Sequence, residues 1–177
     1  LVLIYIVSER DATNQYPLLP LGLVLYGALF TYVYTTIRIP EFFLITFALQ
    51  VMYAVYTAFT NMILLTDSPY KTQMVSLFKF GVGLYGTASL VWLVDNELCH
   101  TLRGIRTTLQ TGPTSWLHVL FQFHAWWHVL SGIACYCLML CAEMWRLAVL
   151  KEHHNLTLQW KGGVFPVLAT RHPKEAL

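Results

Sequence analysis

From Leu18 to Ile37 the chain carries no charge at all, and from Phe42 to Leu65 it again carries none. A helix needs ~20 mostly apolar residues to cross the hydrocarbon of a bilayer. Each of these runs is long enough, and no other feature restricts the fold as severely. A third run, Met74 to Val94, holds one charge, Lys79, about one turn inside the segment, where a long side chain can snorkel to the interface. A fourth, Trp116 to Met144, is long for a single span and is expected to tilt or project. The breaks fall at Arg38-Ile39-Pro40, where proline cannot continue a helix, and at Thr66-Asp67-Ser68-Pro69, a turn cluster. Leu1 to Val7 is apolar, lacks an initiator Met and has neither the basic start nor the small-residue cleavage site of a signal peptide, so it reads as the end of an earlier helix. The expected fold is therefore all-α. It is a polytopic transmembrane helix bundle with four full spans plus the end of an earlier one. Residues 1–177 form a single membrane domain, truncated at its N-terminus, with a tail over 146–177.

Composition agrees. Apolar residues make up 56% of the chain and charged residues 11%, too few charges to cover a water-facing surface. A formal net charge of +2 argues against nucleic acid as a partner. The cations are unevenly distributed between alternate loops. One side receives Arg10, Lys71, Arg146, Lys151, Lys161, Arg171 and Lys174; the other receives Arg38, Arg103 and Arg106. The positive-inside rule makes the first side, with the C-terminal tail, cytosolic. The loop from Asn96 to Gly112 is then lumenal or extracellular. Leu98, Leu102, Ile105 and Leu109 recur in it at helical spacing, which predicts a short interfacial helix. Cys99 lies on that side, where oxidation is permitted; Cys135, Cys137 and Cys141 read as small side chains of an apolar helix. Asn155-Leu156-Thr157 has the form of a glycosylation sequon, but it falls in the cytosolic tail.

Chemistry enters at Phe123-His124-Ala125-Trp126-Trp127-His128. Residues four apart share one face of a helix, so His124 and His128 can grip one ion. Zinc accepts imidazole nitrogens at ~2.0–2.1 Å, and catalytic zinc uses about three protein ligands with a fourth position open. The pair is thus an incomplete site. On spacing alone the other reading stays open, in which both are hydrogen-bonded core histidines. Ionisable groups inside a bilayer are costly and default to function, which favours the metal. Both rings are expected to face the interior of the bundle. The element contains no Glu, so the soluble metalloprotease motif is absent. His118 is expected at the interface, and His153, His154 and His172 in the tail.

Gln122 to His128, followed by Leu130-Ser131-Gly132, resembles the signature of the alkaline ceramidase family. Trp92-Leu93-Val94-Asp95-Asn96 with Cys99 and Leu102-Arg103, Gln50-Val51-Met52-Tyr53, and Gly163 to Pro166 resemble further family elements, in family order. The resemblance implies part of a seven-helix membrane amidase of the endoplasmic reticulum or Golgi that cleaves ceramide to a sphingoid base and a fatty acid. It implies a zinc held by three histidines, two of which correspond to His124 and His128. The third, with an active-site serine and aspartate, belongs to earlier helices that match nothing here, as does the family's calcium-binding segment. It also implies that Cys99 pairs with a cysteine near the family's N-terminus, and it puts Trp127 in the substrate pocket. Tyr53 is expected either to donate a hydrogen bond to the developing oxyanion or to serve as an interhelical packing residue. The activity of these 177 residues alone is expected to be lost. The competing resemblance is to the progestin and adipoQ receptor family, also seven-helical with a His-x-x-x-His on its last helix. The double tryptophan and the Asp95-Asn96-x-x-Cys99 pattern favour the amidase.

Overall fold

The computed structural model describes residues 1–8, 16–65, 71–110, 115–150, 156–163 and 165–170. Helix α1 (Val2–Ser8) is followed by α2 (Leu19–Ile37), α3 (Pro40–Leu64), α4 (Lys71–Glu97) and α5 (Cys99–Leu109). A 3-10 helix, Ser115–Phe121, precedes α6 (Phe123–Val149), and strands β1 (Leu156–Lys161) and β2 (Phe165–Thr170) close the described chain. Helices α2, α3, α4 and α6 are each long and apolar enough to cross a membrane. The all-α expectation holds for the spans, and their bounds lie within a few residues of the uncharged runs.

Three local features depart from the sequence reading or refine it. Proline does not merely end α2: Pro40 begins α3, where its missing N–H costs nothing. The link between the two helices is Arg38, in the left-handed region at φ 55°, and extended Ile39. The expected continuous helix from Trp116 is interrupted. The Gln122 N–H bonds back to the Val119 carbonyl at 3.1 Å, in 3-10 fashion. Arg106 Nη1 reaches the Phe121 carbonyl at 3.4 Å, an acceptor that a continuous α-helix would have used itself. The tail also carries an antiparallel hairpin pairing Leu156 with Thr170 through Lys161 with Phe165, turned by Gly162 (φ 62°) and Gly163 (φ 74°). The Thr66–Pro69 turn, Asn155 of the sequon, His153, His154 and His172 lie outside the described residues.

The chain divides into two compact units. The first joins Leu1–Ser76 to Met139–Leu177. In it α1 packs on α3, where buried Asn61 donates from Nδ2 to the Val7 carbonyl at 2.6 Å. Its core adds Ala54, Met62, Met74, Cys141, Ala142 and Trp145, with Cys141 Sγ 3.9 Å from Met62 Sδ and 3.7 Å from the Met74 carbonyl. Most of α2 lies outside any core: Leu21, Val24, Leu25, Leu29 and Tyr32 are all exposed. Such a continuous apolar face is unsuited to water and suited to lipid. The chain is a multi-pass membrane protein.

The second unit is Leu77–Leu138. Here α4 meets α6 through small residues. Gly81 is buried, and a Cβ on it would lie 3.2 Å from the Leu138 side chain and 3.3 Å from Cys137 Cβ. Ala88 on α4 and Ala134 on α6 are fully buried. Membrane helices gain little from hydrophobicity against one another, so close approach through small residues is what holds them. Helix α5 packs on the 3-10 segment, burying Leu102 and partly covering Ile105 and Leu109. The helix expected from the leucine spacing is therefore present, although Leu98 itself stays exposed.

Candidate metal centre

The interruption before α6 determines where the histidine pair sits. With the helix starting at Phe123, His124 and His128 occupy its first two turns rather than the middle of a span. The start is pinned from outside. Arg106 of α5 donates to the Phe121 carbonyl and lies 3.5 Å from Gln122 Oε1, and Trp126 Nε1 donates to the Leu120 carbonyl at 3.2 Å. His118 Nδ1 meets the Ser115 carbonyl within the 3-10 segment and takes no part in the pair.

The two imidazoles converge. Their Nε2 atoms are 3.3 Å apart, with ring centroids at 4.9 Å and planes near perpendicular at 80°. Two nitrogens bound at ~2.0–2.1 Å to one tetrahedral zinc would stand roughly 3.3 Å apart, so the spacing of the donor pair matches that ion. Trp127 touches both rings, at centroid distances of 5.4 Å to His124 and 4.3 Å to His128. The indole restricts the rings to the face they share, and Trp127 is itself only part-exposed there.

The second unit does not enclose this face. Both histidines are exposed within this unit. At this level α6 is flanked by the last turn of α4, which contributes one functional group. Asp95 Oδ2 lies 3.7 Å from His124 Nδ1. No group of three or more potential metal ligands occurs among the described residues.

Asp95 is the residue to which sequence reasoning assigned no role. It stands just past the apolar run of the third span and enters the sequence reading only as part of the Trp92-to-Cys99 resemblance.

Cys99 opens α5 as a half-buried free thiol. Tyr53 belongs to the first unit, on the exposed side of α3, with its hydroxyl 3.4 Å from Ser8 Oγ. Together with Tyr16, Leu19 and Thr57, these two residues line a cavity of about 410 Å³. Of the Gly163-to-Pro166 element, Gly163 lies in the hairpin turn and Pro166 is buried opposite Trp160, while Val164 falls outside the described residues.

The sequence profile of the family described as Ceramidase matches residues 1–169. Alkaline ceramidase 3 of Mus musculus is 30% identical over 151 residues, covering 82% of this chain and 51% of that protein. Alkaline ceramidase YPC1 of Saccharomyces cerevisiae is 28% identical over 102 residues, covering 58% of this chain and 31% of that protein. The chain thus spans about half the length of one curated relative and about a third of the other.

Proposed function

Because the chain belongs to the ceramidase family, we propose that it forms the histidine-bearing part of a zinc-dependent amidase that hydrolyses ceramide to a sphingoid base and a fatty acid. The observation that carries this reading is the 3.3 Å separation of the His124 and His128 Nε2 atoms on one helical face. The family match does not favour the receptor alternative.

His124 and His128 would hold the ion, each through Nε2. Zinc, when bound, supplies an acidic water and a Lewis acid for the amide carbonyl. The residues of this chain supply position. Trp127 keeps both rings on one face, and the Arg106 contacts fix where α6 begins and hence where that face points. Tyr53 is assigned the oxyanion hydrogen bond on its motif. The four apolar spans keep a two-chain lipid in reach, since such a substrate does not leave the bilayer freely. By the distribution of cations the tail is cytosolic. The organelle is the endoplasmic reticulum or Golgi, by resemblance.

The test is a chimera in which mouse alkaline ceramidase 3 supplies its own sequence outside the aligned region. Supplied with ceramide in detergent, it should release sphingoid base and fatty acid in a zinc-dependent manner. His124→Ala and His128→Ala should each reduce release to the blank. A folded chimera that leaves ceramide intact, or hydrolysis that survives both substitutions, refutes the reading. The 177-residue chain by itself should bind zinc weakly and hydrolyse nothing, because two imidazoles fall short of the three protein ligands of a catalytic site.

A further inference from the structure

Asp95 has one recorded partner among the described residues, and that partner is a proposed zinc ligand. Its carboxylate is 18% exposed while the His124 side chain is 58% exposed, so the acid is the more sheltered of the two. A carboxylate at the end of an apolar span is expensive to shelter without a partner. His124 presents Nδ1 to Asp95 at 3.7 Å and Nε2 to His128 at 3.3 Å. The two ring nitrogens therefore have different neighbours, an acceptor on one side and the second imidazole on the other.

This arrangement rests on helix packing and not on a single rotamer. Helices α4 and α6 also meet at Gly81 and Leu138. From Gly81 to Asp95 along α4, and from Leu138 back to His124 along α6, the separation is the same fourteen residues. At ~1.5 Å per residue that is roughly 21 Å on each helix. Equal separations from the glycine contact put Asp95 and His124 at the same level of the two antiparallel helices. Ala88, about midway between Gly81 and Asp95 on α4, is fully buried.

We propose that Asp95 is a positioning residue for the metal centre: it accepts a hydrogen bond from Nδ1–H of His124, fixes the tautomer, and leaves the Nε2 lone pair free for the ion. The 3.7 Å separation lies beyond direct hydrogen-bond range, so the proposal requires the two side chains to close by about half an ångström. The reason to expect the arrangement is general: a ligating histidine donates its other N–H to a carboxylate or carbonyl, which sets ring orientation and raises basicity. This inference rests on the zinc reading above and specifies how one ligand of that site is prepared.

The experiment uses the whole chain in detergent with ¹⁵N-labelled histidine, under alkaline conditions where imidazole is neutral. The His124 signal is identified by its loss in His124→Ala. Nitrogen shifts report which ring atom carries the proton, a readout independent of activity and of metal. In the unsubstituted chain His124 should carry its proton on Nδ1. In Asp95→Ala it should shift towards the mixture of a free imidazole, and affinity for Zn²⁺ alone, read by chelator competition, should fall roughly 10–100-fold. Asp95→Asn, which keeps an acceptor oxygen, should fall between the two and serves if the alanine variant does not fold. A His124 tautomer that is the same with and without the carboxylate overturns the proposal. A tautomer that responds to Asp95 while Zn²⁺ affinity is unmoved by both Asp95→Ala and His124→Ala supports the contact and removes the zinc reading instead.

Discussion

Between His124 and His128 the decisive quantity is a distance that spacing alone could not supply. Placement one turn apart puts two imidazoles on one face, but their rings could still diverge by rotation about χ1 and χ2. Trp127 lies tilted against both rings, and the Nε2 atoms stand 3.3 Å apart. Tyr53 is the opposite case. Its hydroxyl lies near Ser8 Oγ at the wall of a cavity, so the phenol has polar surroundings as well as packing neighbours. In the chimera with the mouse relative, Tyr53→Phe is expected to lower turnover about 10²–10³-fold, the usual cost of removing one oxyanion donor. Melting behaviour should be unchanged, because the 3.4 Å contact with Ser8 is exposed and weak. Turnover equal to that of the parent would return Tyr53 to a packing role.

For the helices, the two kinds of glycine in α4 make opposite predictions. Gly81 has Leu138 and Cys137 within 3.3 Å of where a Cβ would stand, whereas Gly83 has nothing within 4 Å. Gly81→Val should overpack the α4–α6 contact and cost about 1–3 kcal/mol. Gly83→Ala should be neutral or stabilise by up to about 1 kcal/mol, through helix propensity. Thermal unfolding in detergent compares them, and equal midpoints would mean that α4 does not pack through Gly81. The spans themselves were legible in the sequence because uncharged length is a local property. The break at Gln122 was not, because it depends on Arg106 reaching the Phe121 carbonyl from fifteen residues away. The Asp95–His124 contact was hidden for the same reason, since it follows from the register of two helices. The hairpin was missed although its signals are local: Leu156 to Lys161 alternates, Gly162-Gly163 follows, and a second short apolar strand returns.

For the whole molecule the open quantity is sidedness. Spans alternate, so the start of α4 and the end of α6 must share a membrane face, with the α4–α6 connection on the other. The first unit fits this. Cys141 near the end of α6 lies 3.7 Å from the Met74 carbonyl near the start of α4. Leu158 and Trp160 of the hairpin line a cavity of about 230 Å³ with Thr72, Gln73 and Ser76 of α4. Lys71, Arg146 and Lys161 therefore gather on one face, the one that the positive-inside rule assigns to the cytosol. Arg103 and Arg106 belong to α5, in the opposite connection, and so does Cys99. In sealed microsomes, reduced with a permeant reagent, an impermeant maleimide should leave Cys99 unlabelled until the membrane is opened, with Cys99→Ala giving the blank. A tag after Leu177 should be open to protease throughout. Cys135, Cys137 and Cys141 lie within α6, where an aqueous reagent does not reach, so the signal belongs to Cys99. Labelling of Cys99 in sealed vesicles would invert the topology. It would also move the start of α6, with His124 and His128, to the cytosolic half of the bilayer.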